Sequence, residues 1–339
     1  MELKKLFTLQ LLSLLLFACS VNDNCIHVEI QGFENNSVDF SDCADFVDTI
    51  PLYVNDGHMV AEIRQICLND TNLFVLDGMK QISKFSLNTG NLIAQIRNMG
   101  HSQGEYVDVM SMSIRDNRLY LLDQQSKKVL EYDLNLNFKS SANIDMLPFD
   151  MVATDNGFLF SRMDANEGQE RILVADFSGK VVMKKLPAKK ATENIPTTKA
   201  FNGGYRCQLS IHEPASSDIY SWQDNDVTLK YRLCFPDYQG TASGDSPIQV
   251  KECYILDKYL LASFLYNNKQ YYCLYSNETG NVVAGYFNID SGRPFYPMFQ
   301  TANSVLGLFH KDDLDGLPNW SPQSMYNADL ILFDYHFEN

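Results

Sequence analysis

Basic side chains are scarce in this sequence. Lysine and arginine total 27 against 42 aspartates and glutamates, a formal net charge of −15. That balance excludes nucleic acid as a partner, because such binding needs a basic face to displace counterions. It suits the solvated surface of an exported protein. Also missing, after the first twenty residues, is any long apolar stretch of period 3.6, so a helical fold is not expected. No two cysteines stand at C-x-x-C spacing, which argues against a zinc or thioredoxin-like site. The sequence holds no G-x-S-x-G, H-E-x-x-H, P-loop or dinucleotide fingerprint. No cofactor is expected, and no metal.

What is present favours strands. Hydrophobic residues make up 45% and aromatics 12%, with 18 Tyr and 21 Phe. Such richness, punctuated by Asn, Asp and Gly, reads as short strands joined by turns. The 339 residues suffice for one large domain, and folding at that size buries roughly 75% of the extended surface.

The N-terminus reads as a targeting segment. Lys4 and Lys5 precede an apolar run, Leu6 to Ala18, that is too short to span a bilayer. The run ends in Leu16-Phe17-Ala18-Cys19-Ser20, which resembles a bacterial lipobox. Cys19 is then the lipidated first residue of the mature chain, and each buried CH₂ of the acyl chains contributes about 0.8 kcal/mol to anchoring. Ser20 after the Cys fits outer-membrane delivery. Residues 1–19 are thus expected to be a signal peptide and residues 20–40 a tether and extended lead-in. A membrane partner through this anchor follows, and a place in the cell envelope. Seven cysteines remain, an odd number that prevents complete internal pairing. Cys67, Cys253 and Cys273 sit inside strand patterns as buried thiols. Cys25 and Cys43 are the pair for which an oxidising compartment would allow a bridge.

The chain repeats itself. Ile63–Arg97 and Val109–Ile144 each hold four apolar segments with polar turns between them. Further units begin near Met151, Tyr205, Ile248 and Pro294. Aligned second strands at Leu73, Leu119, Phe158, Ile219, Tyr259 and Val305 give steps of roughly 40–60 residues, the range of four-stranded propeller blades. LFVLD, LYLLD and LILFD are nearly continuous apolar runs, as expected of strands covered on both faces by neighbouring blades. A sandwich would alternate more cleanly, and two tandem β domains are the rival arrangement. Gly90, Gly179 and Gly280 supply the positive φ of third-to-fourth strand turns. The expected architecture is an all-β, six-bladed propeller over residues 41–339. Its last unit has only three strands, so Val47–Val54 is predicted to close the ring as that blade's outermost strand.

Three places resemble a known family. They are the opening Phe40-Ser41-Asp42 through Phe46-Val47, Ile50-Pro51-Leu52 and Glu62-Ile63, the loop Gly100-His101-Ser102-Gln103-Gly104-Glu105-Tyr106, and the strand Tyr231–Phe235. They are similar to the exported six-bladed propeller lipoproteins of gram-negative gut anaerobes, related to NHL- and TolB-like propellers. The loop departs from the family's G-x-G-P-G-E-Y at Ser102 and Gln103. The resemblance implies fold and address and leaves biochemistry open.

Candidate ligand contacts follow from the propeller expectation. Second-to-third strand turns and blade-to-blade loops emerge on one face around the channel. Glu105, Tyr106 and His101 sit on one such loop, and His310 opens the insert Lys311–Asn327 that carries Trp320. Glu105 and Tyr106 either contact a ligand or serve as turn acceptor and packing residue. Trp320 is either a stacking platform or a lid packed on the ring. His212 falls near another rim, where a hydrogen-bonded histidine is the plainer reading. Asp312, Asp313 and Asp315 resemble a calcium-loop fragment without its Gly and Glu spacing. The sequence thus points to a non-catalytic binding or scaffolding lipoprotein for a glycan, peptide or envelope partner. The alternative is an envelope hydrolase or lyase with an active site at the channel mouth.

Overall fold

The computed structural model describes residues 25–39, 43–162, 165–188, 199–203, 207–212, 216–238, 248–287, 294–315, 317, 325 and 327–337. Strands β1 (Ile26–Glu29), β2 (Ser37–Val38) and β3 (Phe46–Leu52) precede six sheets. Blade one is β4 (Ile63–Leu68), β5 (Asn72–Asp77), β6 (Ile82–Ser86) and β7 (Leu92–Ile96). Blade two is β8 (Val109–Arg115), β9 (Arg118–Asp123), β10 (Lys128–Asp133) and β11 (Phe138–Asn143). Blade three is β12 (Asp150–Thr154), β13 (Gly157–Ser161), β14 (Glu170–Ala175) and β15 (Val181–Pro187). Blade four is β16 (Phe201–Asn202), β17 (Leu209–His212), β18 (Asp218–Gln223) and β19 (Asp226–Cys234). Blade five is β20 (Gln249–Ile255), β21 (Tyr259–Tyr266), β22 (Lys269–Ser276) and β23 (Val282–Phe287). Blade six is β24 (Phe299–Gln300), β25 (Ser304–His310) and β26 (Leu330–His336), completed by β3. The fold is the expected six-bladed β-propeller of antiparallel blades.

The closing strand lies where the sequence puts it. β3 pairs antiparallel with β26 from Phe46↔His336 to Leu52↔Leu330. This covers the last free edge, which would otherwise invite pairing with another chain.

The segment from Ile26 to Val38 is part of the ring. β1 adds in parallel to the outer edge of β19, and β2 adds in parallel to β23. One N-terminal segment therefore runs along blades four, five and six in turn. Between β1 and β2, Phe33 is fully buried in the seam of blades four and five. Its ring meets Phe264 at 5.0 Å and Tyr271 at 4.8 Å, both edge-on. Cys25 does not bridge to Cys43.

Two counts taken from the sequence shift. Ile219 lies on β18, the third strand of its blade, not the second. The cause is the inner strand β16, which is only Phe201–Asn202 and too short to leave a pattern. In PFYPMFQ, likewise, only Phe299–Gln300 is strand. The runs LFVLD and LYLLD form second strands, whereas LILFD forms the third strand of blade six, buried because β3 covers its outer side. Continuous burial therefore marks the middle strands, which have neighbours on both edges and both faces.

Candidate functional site

The site grows out of how the blades are held together. At each of the six seams a polar side chain reaches across to backbone of the adjoining blade. Gln65 of β4 donates from Nε2 to Met112 O at 2.8 Å and accepts from Met112 N at 2.9 Å. Ser111 and Ser113 of β8 accept from Met151 N and Ala153 N at 3.1 and 3.0 Å. Asp150 accepts from Ala200 N and Phe201 N at 3.0 and 3.1 Å. Ser210 and Asn202 donate to Cys253 O at 2.5 and 3.2 Å. Gln300 accepts from Ile255 N at 3.1 Å and donates to Ile255 O at 2.9 Å. His310 Nε2 lies 3.0 Å from Ala61 O, joining blade six to blade one. Backbone near the axis, which has no further strand to pair with, is thereby satisfied in part from the neighbouring blade.

A cavity of about 40 Å³ lies among the inner strands β4, β8, β12, β16 and β24. Lys199, just ahead of β16, lines it together with Asp150 and Cys67. The Lys199 ammonium acts electrostatically on Cys67 of blade one, Asp150 of blade three and Glu252 of blade five. A charge felt by three alternate blades lies close to the axis. Burial pushes the Asp150 carboxyl up, against the pull of Lys199 and three backbone N–H bonds. Burial likewise raises Glu252, opposed by Lys199 and by Tyr254, whose hydroxyl donates to it at 2.9 Å. Desolvation lowers Lys199, opposed by Glu252 and Asp150. The channel holds a mutually compensating cluster that the sequence reading missed. The signal was there as charges beside apolar inner strands: Asp150 before Met-Val-Ala, and Glu252 within VKECYI.

The residues singled out from sequence fall elsewhere. Tyr106 has no exposed surface; its hydroxyl donates to Lys80 O at 2.9 Å and accepts from Asn98 N at 3.2 Å. The Glu105 carboxylate accepts from Ser102 N at 2.8 Å, closing its own turn. Lys128 Nζ holds the Glu105 carbonyl at 2.7 Å, and the Tyr132 hydroxyl holds that of Gly104 at 2.5 Å. His101 is exposed on the same loop. His310 belongs to the seam between blades six and one. The structure therefore groups His101, Glu105 and Tyr106 in one pinned loop and sets His310 apart from it. Trp320 and Cys19 lie outside the described residues. His212 is buried, with Nε2 3.0 Å from Ser216 O, and desolvation lowers its pKa to about 4. Asp312 and Asp313 lie on the helical turn Lys311–Leu314, and Asp315 pairs with Lys311 at 3.2 Å. Among the described residues no three His, Cys, Asp or Glu side chains converge as metal ligands. Nor, among them, is any helix long and apolar enough to cross a membrane.

A ring of six blades with interlocked inner strands defines a β-propeller, and comparison with known proteins gives it a family. The chain belongs to the family described as "Domain of unknown function (DUF4934)", matched over residues 24–326. Among solved structures it is similar to a protein of Bacteroides fragilis described as exported. That likeness has a TM-score of 0.71 at 14% identity, over 93% of this chain and 100% of the other. It is also similar to a DUF4221 member from Bacteroides vulgatus, with a TM-score of 0.54 at 10% identity, over 86% and 96% of the two chains. At such identities the likeness concerns the fold. Among curated proteins none matches the chain.

Proposed function

We propose that this protein is a cell-envelope lipoprotein, anchored through Cys19 in the outer membrane, whose propeller is a non-catalytic binding or scaffolding platform. Its partner is a glycan, a peptide or another envelope component. The observation that carries this reading is the state of the channel. A cavity of about 40 Å³ is far below the roughly 300 Å³ and more of pockets that enclose small-molecule ligands. Gln65, Asp150, Asn202 and Gln300 on the inner strands are spent on seams between blades. A ring built this way is rigid, and it offers loops and clefts on its surface instead of a tunnel.

The family resemblance to exported lipoproteins of gram-negative gut anaerobes and the exported Bacteroides relative both support the address. His101 and Glu105 on the pinned loop, with Trp320 on the insert, remain the ligand contacts proposed for the face bearing the blade-to-blade loops.

The enzyme alternative has one feature in its favour, the raised carboxyls of Asp150 and Glu252 beside Lys199, since such perturbed groups cluster at active sites. The cavity beside Asp150 is too small for a substrate, and burial, opposed by Lys199, accounts for both shifts. Fractionation tests the anchor: Cys19→Ser should move the protein from the membrane to the soluble fraction, and mutant protein still pelleting with membranes would refute it. A glycan and peptide array tests the platform. Binding unaffected by Trp320→Ala or Glu105→Ala would move the contact away from that face.

A further inference from the structure

We propose that a second cleft, between blades three and four on the face opposite the Gly100–Tyr106 loop, is a carbohydrate-binding site with Trp222 as its stacking platform. It has a volume of about 340 Å³. Its walls come from the first-to-second strand turns of blades two and three and from the β18–β19 turn of blade four. The side chains the proposal uses are Trp222, Arg115, Asp155, Asn156, Asp224 and Asn225, all of which line it.

Trp222 closes β18, paired with Leu209 on one side and Val227 on the other. It packs on the apolar cluster of Leu209, Ile211 and Tyr220 while staying half-buried. The indole is therefore fixed from behind and open in front. Its N–H has no hydrogen-bond partner among the described residues. The adjoining turn is rigid, since Asp224 and Asn225 both hold positive φ, 52° and 60°, the geometry of a two-residue type I′ hairpin. Asn156 Nδ2 reaches Asn225 Oδ1 at 3.5 Å, linking the two walls. Arg115 pairs with Asp155 on the floor side.

This combination matches a sugar. A pyranose presents an apolar face of C–H groups and a rim of hydroxyls that both donate and accept. An indole face takes the first, through dispersion and the ring's negative quadrupole. Carboxylate, amide and guanidinium groups take the second, because each offers paired donors or acceptors at the spacing of neighbouring hydroxyls. A peptide fits less well. The usual route, adding a strand to a free sheet edge, is closed at blade four, where β1 already covers β19. The inference rests on reading the ring as a binding platform, but it puts the ligand on the other face and names its class.

The test uses the full mature chain in detergent on an array of plant, host and bacterial oligosaccharides, with titration calorimetry on the best hit. Trp222→Ala should weaken that hit at least tenfold, with the thermal transition recorded alongside to confirm folding. Asp155→Ala, a surface change that leaves the core intact, should weaken it several-fold. An array hit that survives both Trp222→Ala and Asp155→Ala overturns the site. Loss on Trp320→Ala alone overturns it too, but leaves the platform reading standing. Silence on oligosaccharide and peptide arrays together overturns both.

Discussion

Gln300 in blade six grips both backbone groups of Ile255 in blade five, accepting from the N–H at 3.1 Å and donating to the carbonyl at 2.9 Å. Gln65 does the same to Met112 across the seam of blades one and two. A side-chain amide here stands in for the strand partner that an inner edge lacks. Both Gln300 and Ile255 have no exposed surface. Gln300→Leu keeps the bulk and removes the bonds, leaving a buried N–H and C=O unpaired. It should lower stability by about 2–4 kcal/mol, read from the midpoint of urea unfolding. A loss under about 0.5 kcal/mol would mean that the seam does not depend on this bond.

These seams also show which features were legible in the sequence. Blade count, strand class and the closing strand were readable because middle strands have neighbours on every side and become unbroken apolar runs. The two-residue inner strands β16 and β24 carry no periodicity, so unit four reads as starting at its second strand and Ile219 aligns on its third. Lys199, Asp150 and Glu252 belong to three separate segments that only the closed ring brings to one axis. Trp222 was hidden differently: within DIYSWQ it reads as an ordinary strand aromatic, and only the turn packed beside it makes a cleft. Tyr106 and Glu105 drew attention as a motif, and the structure shows the motif spending its polar atoms on holding its own loop.

Phe33 tests the belt formed by the N-terminal segment. Phe33→Ala empties a site ringed by Phe235, Phe264, Tyr266 and Tyr271. The expected loss is about 3–5 kcal/mol. Hydrogen exchange should quicken in β1 and β2 before the rest of the ring opens. Uniform quickening across all six blades would show that the belt and the ring unfold as one unit.

Two turn glycines with similar backbones should respond differently. Gly90 and Gly280 have φ of 73° and 74°, so alanine at either carries the left-handed cost of roughly 1 kcal/mol. A Cβ at Gly280 meets nothing within 4 Å, whereas at Gly90 it would lie 2.1 Å from the Pro51 carbonyl of the closing strand. Gly90→Ala should therefore lower the melting temperature clearly more than Gly280→Ala. Equal shifts would mean that the contact between blade one and the end of β3 is looser than described.

His212 sets an acid limit. Its pKa is about 4 when folded and 6.5 when unfolded. The folded state thus binds fewer protons between these values. Stability from this group is intact above pH 6.5, falls as pH drops toward about 4, and then levels off. The full effect is about 3 kcal/mol. His212→Gln should flatten that part of the stability–pH curve, measured by urea titration from pH 7 to 4. A parallel decline in both proteins would assign the acid sensitivity to other groups.

A binding platform and an enzyme differ in what becomes of the ligand. The direct measurement is prolonged incubation of the full mature chain with its tightest array ligand, followed by mass spectrometry of everything recovered. The ligand should come back intact in full stoichiometry. A cleaved or eliminated product that disappears with Asp150→Asn would contradict the reading and place chemistry in the channel.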